Sequence, residues 1–272
     1  MINKILTALL AAGLVSLAAC GQSTTEAPAE AEAPAAEVAP APEPAEAMAP
    51  DLATLLADES RPEADRARDA GRKPAEVLTL MGVEPGMDVL DLIAAGGWYS
   101  EVLSLAVGDE GSVTSQNPGW MRGFRDGAIV AGLDDRMARR SNISKLDNEW
   151  SELATMGEQY DVAFSALNIH DVYYLESPEA TAEFASAVYA VLKPGGVFGV
   201  IEHVGNPGAT TDELHRLDPA IAIEIVTAAG FELEENSDLL ANPDDDHTQS
   251  VFAEGLRGNT DRFVLKFRKP AG

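Results

Sequence analysis

Residues 89–101 read VLDLIAAGGWYSE: an apolar run meets an acid at Asp91, crosses the glycine pair Gly96 and Gly97, and leads directly into helix-compatible sequence. A buried strand that ends in a glycine turn and enters a helix is the geometry of a dinucleotide-type site. The turn lets the backbone approach a ligand, and the helix N-terminus offers N–H groups to polar or negative atoms. A Cβ at either glycine would meet the ligand or strain a backbone at φ > 0. A Gly-Gly pair after a strand also fits an ordinary strand-to-helix turn, so the surrounding elements must carry the argument.

Working outward, residues 51–81 have helical spacing, with Pro74 opening a helix that carries Val77, Leu78 and Leu80. Strands are expected at 87–93, 111–117 and 142–145, with a helix at 99–107 after the first. Residues 160–168 form a near-continuous apolar run of the kind buried in parallel sheets. Ser177 and Pro178 cap and start the next helix, and Lys193-Pro194-Gly195-Gly196 turns into a strand at 197–203. Asp218-Pro219 opens another helix that Gly230 closes, and strands at 231–240 and 262–268 end the chain. The alternation predicts an α/β fold: a Rossmann-like doubly wound sheet, mostly parallel with an antiparallel C-terminal strand, preceded by N-terminal helices.

This order, with its LKPGG turn, a helix ending in AAGF and a closing strand pair, resembles the class I S-adenosylmethionine-dependent methyltransferase superfamily across residues 75–269. The segments HRLDP, NPDDDH and DRFVLKFRKP are similar to a bacterial group of predicted methyltransferases. The superfamily's G-x-G-x-G triplet falls on Ile93, Ala95 and Gly97, so only its last glycine is kept, with Gly96 added in the gap. The resemblance implies S-adenosylmethionine as cofactor, with Asp91, Gly96, Gly97, Asn117 and Asp147 at cofactor-binding positions. Asp91 would order the turn, and Asp147 would lie near the adenine. Asn117 stands where an acid accepts hydrogen bonds from both ribose hydroxyls, and an amide lacks the charge that strengthens that pair. With the turn and the ribose position both altered, weak cofactor binding is expected.

All four histidines, His170, His203, His215 and His247, fall in or beside loops expected at the carboxyl edge of the sheet, each with an acidic neighbour. Ligands bind at that edge in open α/β sheets. Any one of them alone is most simply a satisfied polar residue; as a set they point to a shared pocket, with Asp171 and Asp246 nearby. Two chemistries could use it. His170, supported by Asp171, could serve as the base in methyl transfer, facing the cleft beside Gly97, with His203, His215 and His247 as further candidates. Alternatively, imidazoles and carboxylates could hold a divalent metal, although the spacings match no compact metal motif and assign no ligands.

The 272-residue chain carries a formal net charge of −26, which argues against nucleic acid; the methyltransferase resemblance implies a small-molecule substrate. A strongly anionic substrate would need a local basic pocket, and Arg61 to Lys73 and Arg139-Arg140 are the concentrations of positive charge available for one. Residues 1–19 read as a signal peptide ending in Leu17-Ala18-Ala19, and Cys20, the only cysteine, resembles the lipid-modified residue of bacterial lipoproteins. Gly21 after it implies the periplasmic face of the outer membrane. Residues 20–50, rich in Ala, Pro and Glu, form a disordered tether, and residues 51–272 form the methyltransferase-like domain. The rival to an enzyme is a non-catalytic periplasmic metal- or small-molecule-binding lipoprotein that retains the fold. Neither the methyl acceptor nor the oligomeric state is legible in the sequence.

Overall fold

The computed structural model describes residues 51–208 and 212–272. The signal peptide, Cys20 and the tether lie outside the described residues. Seven strands form one sheet: β1 (Asp88–Leu92), β2 (Ser112–Gln116), β3 (Ile143–Leu146), β4 (Tyr160–Ala166), β5 (Leu192–His203), β6 (Glu232–Ser237) and β7 (Arg262–Arg268). Their order is β3-β2-β1-β4-β5-β7-β6. The strands from β1 to β5 pair in parallel, and β7 runs antiparallel to both β5 and β6. This is the doubly wound, mostly parallel sheet expected from the alternation of elements.

Helices α1 (Leu52–Leu56), α2 (Glu63–Arg66), α3 (Asp69–Arg72) and α4 (Pro74–Met81) precede the sheet. After β1 comes α5 (Trp98–Val107), and α6 (Gly119–Gly123) and α7 (Gly132–Arg139) lie between β2 and β3. Helix α8 (Trp150–Leu153) precedes β4, after which α9 (Ile169–Asp171) continues as one π-helical turn, Val172–Glu176, into α10 (Pro178–Val191). Helix α11 (Pro219–Ala228) precedes β6. The caps act as their residue types dictate. The Ser177 side chain accepts from the Ala180 N–H at 3.0 Å, and that of Asp218 from the Ala220 N–H at 2.9 Å, each satisfying an orphan donor of the first turn.

Register fixes where the loops leave. Leu92 lies opposite Gln116 on one side, and Asp91 and Leu92 lie opposite Phe164 and Ser165 on the other, so the loops after β1, β2 and β4 emerge at one edge. Between β1 and β4 the winding reverses, which makes the carboxyl end of this pair the switch-point crevice of the fold. The LKPGG segment differs from expectation. Leu192 already pairs with Tyr160 and Val197 with Val162, so residues 193–196 bulge out of β5 instead of preceding it.

Candidate functional site

At the end of β1 the backbone takes three left-handed positions in alternation: Ile93 at φ +52°, Ala95 at +51° and Gly97 at +80°. These are the three positions that the resemblance sets against the superfamily's glycines, and the turn takes a glycine-type conformation at two residues that are not glycine. A β-branched residue at positive φ is strained, and the surrounding bonds hold it. Gln116 accepts the Ile93 N–H through its side chain at 3.2 Å and the Ala94 N–H through its backbone carbonyl at 2.9 Å. Asn117 Oδ1 accepts the Ala95 N–H at 2.8 Å. The amide aligned with the ribose acceptor is therefore engaged in holding the turn.

The turn is also covered by the chain itself. An added Cβ at Gly96 would sit 3.0 Å from the Ile129 carbonyl oxygen, and one at Gly97 would sit 2.6 Å from Leu133 Cδ1. Arg136 reaches back to donate to the Gly96 carbonyl at 2.8 Å and pairs with Asp65 at 2.6 Å. The close approach that glycine permits is made here to the segment before and within α7, while Gly96 also lines a neighbouring cleft. Sequence patterning gave no sign of this packing.

Beside the covered part remains a cleft of about 410 Å³, lined by Asp91, Ile93 to Gly96, Trp98, Tyr99 and Asn168, with Arg68, Arg72 and Arg136 on one wall. It is the local basic pocket that an anionic ligand requires. The Arg72 guanidinium carbon lies 4.5 Å from the Trp98 ring centroid and 5.5 Å from that of Tyr99, within cation–π range. Burial and the adjacent Arg72 charge hold Arg68 down to about 10. Asp91 is buried and its carboxyl is pushed up to about 7 by that burial, against the pull of the Ser100 hydroxyl, which donates to it at 2.5 Å, and of Arg72. The i, i+4 spacing of Arg68 and Arg72 was the available sequence signal for this wall.

The histidines divide. His170 is buried, and its ring lies 6.0 Å from that of His203 and 5.4 Å from that of His215. Its Nδ1 meets Glu202 Oε2 at 2.7 Å, while Nε2 lies 3.4 Å from Asp171 Oδ1, which also stands 3.2 Å from His215 Nδ1. Burial works against charge on His170, but the Glu202 carboxylate prevails and the net shift is upward. Burial, reinforced by the charge of His170 and of Arg262, pushes His203 well below the usual imidazole range, and its Nδ1 lies 2.7 Å from Thr260 Oγ1. Opposed shifts on adjacent groups are characteristic of functional sites.

Four expectations need correction. His247 does not join the trio: its Nε2 lies 2.8 Å from Asp261 and its Nδ1 3.4 Å from Asn206, because the loop before β7 draws it aside. Asp246 is exposed, accepts from the Thr248 backbone and hydroxyl in an Asx turn, and is not among the groups that meet at His170. His170 is turned to Glu202 and Asp171 rather than lining the cleft beside Gly97. Asp147 is exposed, and its nearest ion-pair partner is Arg122 at 3.9 Å. Glu202, the acid that organises the cluster, was visible only as a single carboxylate in the otherwise apolar strand before His203.

No family model and no curated protein matches the sequence. Among solved structures, the chain is similar to an S-adenosylmethionine-dependent methyltransferase from Aquifex aeolicus, at 18% identity and TM-score 0.53, covering 80% of this chain and 98% of that one. It is similar to the [4+2]-cyclase SpnF at 19% identity and TM-score 0.55, covering 82% and 94%. It is also similar to an arsenic(III) S-adenosylmethionine methyltransferase from Chlamydomonas reinhardtii at 20% identity and TM-score 0.50, covering 82% and 74%. That a cyclase stands beside methyltransferases shows that fold and reaction are separable here. The sheet order, the single antiparallel strand and these likenesses together establish that the chain has the class I S-adenosylmethionine-dependent methyltransferase fold.

Proposed function

We propose that this protein is an S-adenosylmethionine-dependent methyltransferase, or the descendant of one, that takes a small-molecule acceptor at the cleft between β1 and β4. The observation that carries the reading is the turn itself. Positions 93, 95 and 97 take the left-handed conformations that suit a glycine triplet although two are Ile and Ala, and residues 93–96 line the cleft of about 410 Å³. The residues on the cleft wall suit the amino-acid end of the cofactor, with Arg68 and Arg72 complementary to a carboxylate and Asp91 to an ammonium group. The adenosyl side fits poorly, because Asn117 is engaged with Ala95 and Ile129 approaches Gly96. When bound, S-adenosylmethionine supplies an electrophilic methyl group; the chain's contribution is to exclude water and orient the acceptor between Asn168 and the Arg72 wall.

Calorimetric titration of the purified chain with S-adenosylmethionine and S-adenosylhomocysteine tests this. The expected result is weak binding, with a Kd of about 100 µM or above, lost in Arg72→Ala. Absence of binding to either compound favours the second reading, for which the covered turn speaks: a small-molecule-binding protein that keeps the fold without methyl transfer.

The location proposed is the periplasmic face of the outer membrane, with the chain anchored through lipidated Cys20 and the domain held off the membrane by the tether. Cys20→Ser should abolish lipid labelling and leave an unprocessed precursor. Fractionation of the wild-type protein as a full-length cytosolic chain would overturn the anchor.

A further inference from the structure

We infer that His170, Asp171 and His215 form a binding site for a divalent cation of the zinc type, with Glu202 as the outer carboxylate that aims His170 into it. The site stands on its own geometry, independent of whether the cleft takes S-adenosylmethionine. His170 Nε2 and His215 Nδ1 lie 3.4 and 3.2 Å from the same oxygen of Asp171, and the ligand atoms of the three residues all fall within 4.8 Å of one another. Ligands held at about 2.0–2.1 Å in a tetrahedron stand roughly 3.3 Å apart, so two of the three separations already match a filled site.

The surroundings are those of a built site rather than a chance cluster. Glu202 is wholly buried, and its carboxylate accepts the Ile169 N–H at 2.6 Å, the His203 N–H at 3.2 Å and the His170 N–H at 3.4 Å while meeting His170 Nδ1 at 2.7 Å. An imidazole that donates Nδ1–H to a carboxylate presents the Nε2 lone pair on the other side of the ring, which is how metal-binding histidines are oriented. With Nδ1–H on Glu202, Nε2 lies 3.4 Å from an Asp171 oxygen, a pair of acceptors that calls for a cation between them, either a metal ion or a proton on Nε2. His215 approaches from the far side at φ +54°, with its ring 4.9 Å from that of Phe252. Its side chain is one-third exposed, which gives an ion a route in. Two imidazoles and one carboxylate leave at least one coordination position for water or a ligand oxygen.

The test uses the full chain, purified without a histidine tag and stripped with chelator, titrated with Zn²⁺ alone in excess Mg²⁺ so that carboxylate-only sites on this acidic surface are already occupied. One Zn²⁺ per chain is expected, and Co²⁺ should give the intense visible bands of a four-coordinate site. His215→Asn, which tolerates the left-handed backbone, should weaken Zn²⁺ at least about 100-fold, and Glu202→Gln by about 10- to 100-fold. His247→Ala should leave binding unchanged. The His215 variant keeps the inference testable if His170 variants fail to fold. A wild-type stoichiometry well below one, or a His215→Asn titration that superimposes on wild type, would overturn the proposal and leave a proton as the cation between His170 and Asp171.

Discussion

At the end of β1 the backbone N–H groups of Ile93, Ala94 and Ala95 are taken by Gln116 and Asn117, and the Gly96 carbonyl by Arg136. At the ends of β4 and β5, on the same edge of the same sheet, Asp171 faces two imidazoles across gaps that suit an ion. The first region has turned its polar groups inward and is closed by its own chain. In the second, a buried imidazole, a part-exposed imidazole and a part-exposed carboxylate turn toward one another. The comparison teaches that a glycine-type turn can be packed against its own chain while titratable groups gather at the ends of the next two strands. The cleft walled by Arg68 and Arg72 lies at the margin of the closed region, where the remaining access to the turn is found.

The sharpest way to break the comparison is Gly97→Val. The new side chain meets Leu133 at a left-handed position, and a loss of about 3–5 kcal/mol in a denaturant titration is expected. If the variant instead kept its stability and lost only ligand affinity, the turn would be open and not closed. Asn117→Ala is next. It strands the Ala95 N–H in a part-buried site and should lose about 1–2 kcal/mol, visible as a lower urea midpoint. Asn117→Asp sharpens the point: it can still accept from Ala95 and restores a charge, yet S-adenosylmethionine affinity should rise by less than about threefold if that position is engaged with the turn. A tenfold gain would show that the ribose side is accessible.

Asp91 supplies a pH test. Its carboxyl is raised to about 7 in the folded chain from an ordinary value of 3.8, so between these values the folded state holds a proton that the unfolded state has released. The stabilisation is fully present below about pH 4 and is lost as pH rises through 7. Asp91→Asn should flatten that part of the stability profile, and an unchanged slope would place the titration elsewhere. The smallest effect is expected for Ala95→Gly, which relieves a residue at φ +51° and should be stabilising by up to about 1 kcal/mol.

What the sequence determined by itself was the set of elements and the fold they specify. Apolar runs at β1 and β4, the Ser177 and Asp218 caps and the alternation of strand and helix are local signals, and each acts over a few residues wherever the chain goes. The position of the glycine-type turn was legible for the same reason, as was the placing of histidines near the carboxyl edge. What only the tertiary structure decided was which distant groups meet there. The segment before and within α7 covers Gly96 and Gly97, Glu202 takes His170, and Asp261 draws His247 away from the other three. Those partners lie 14 to 36 residues from the groups they meet. They are selected by strand order and loop path, so no spacing along the chain encodes them.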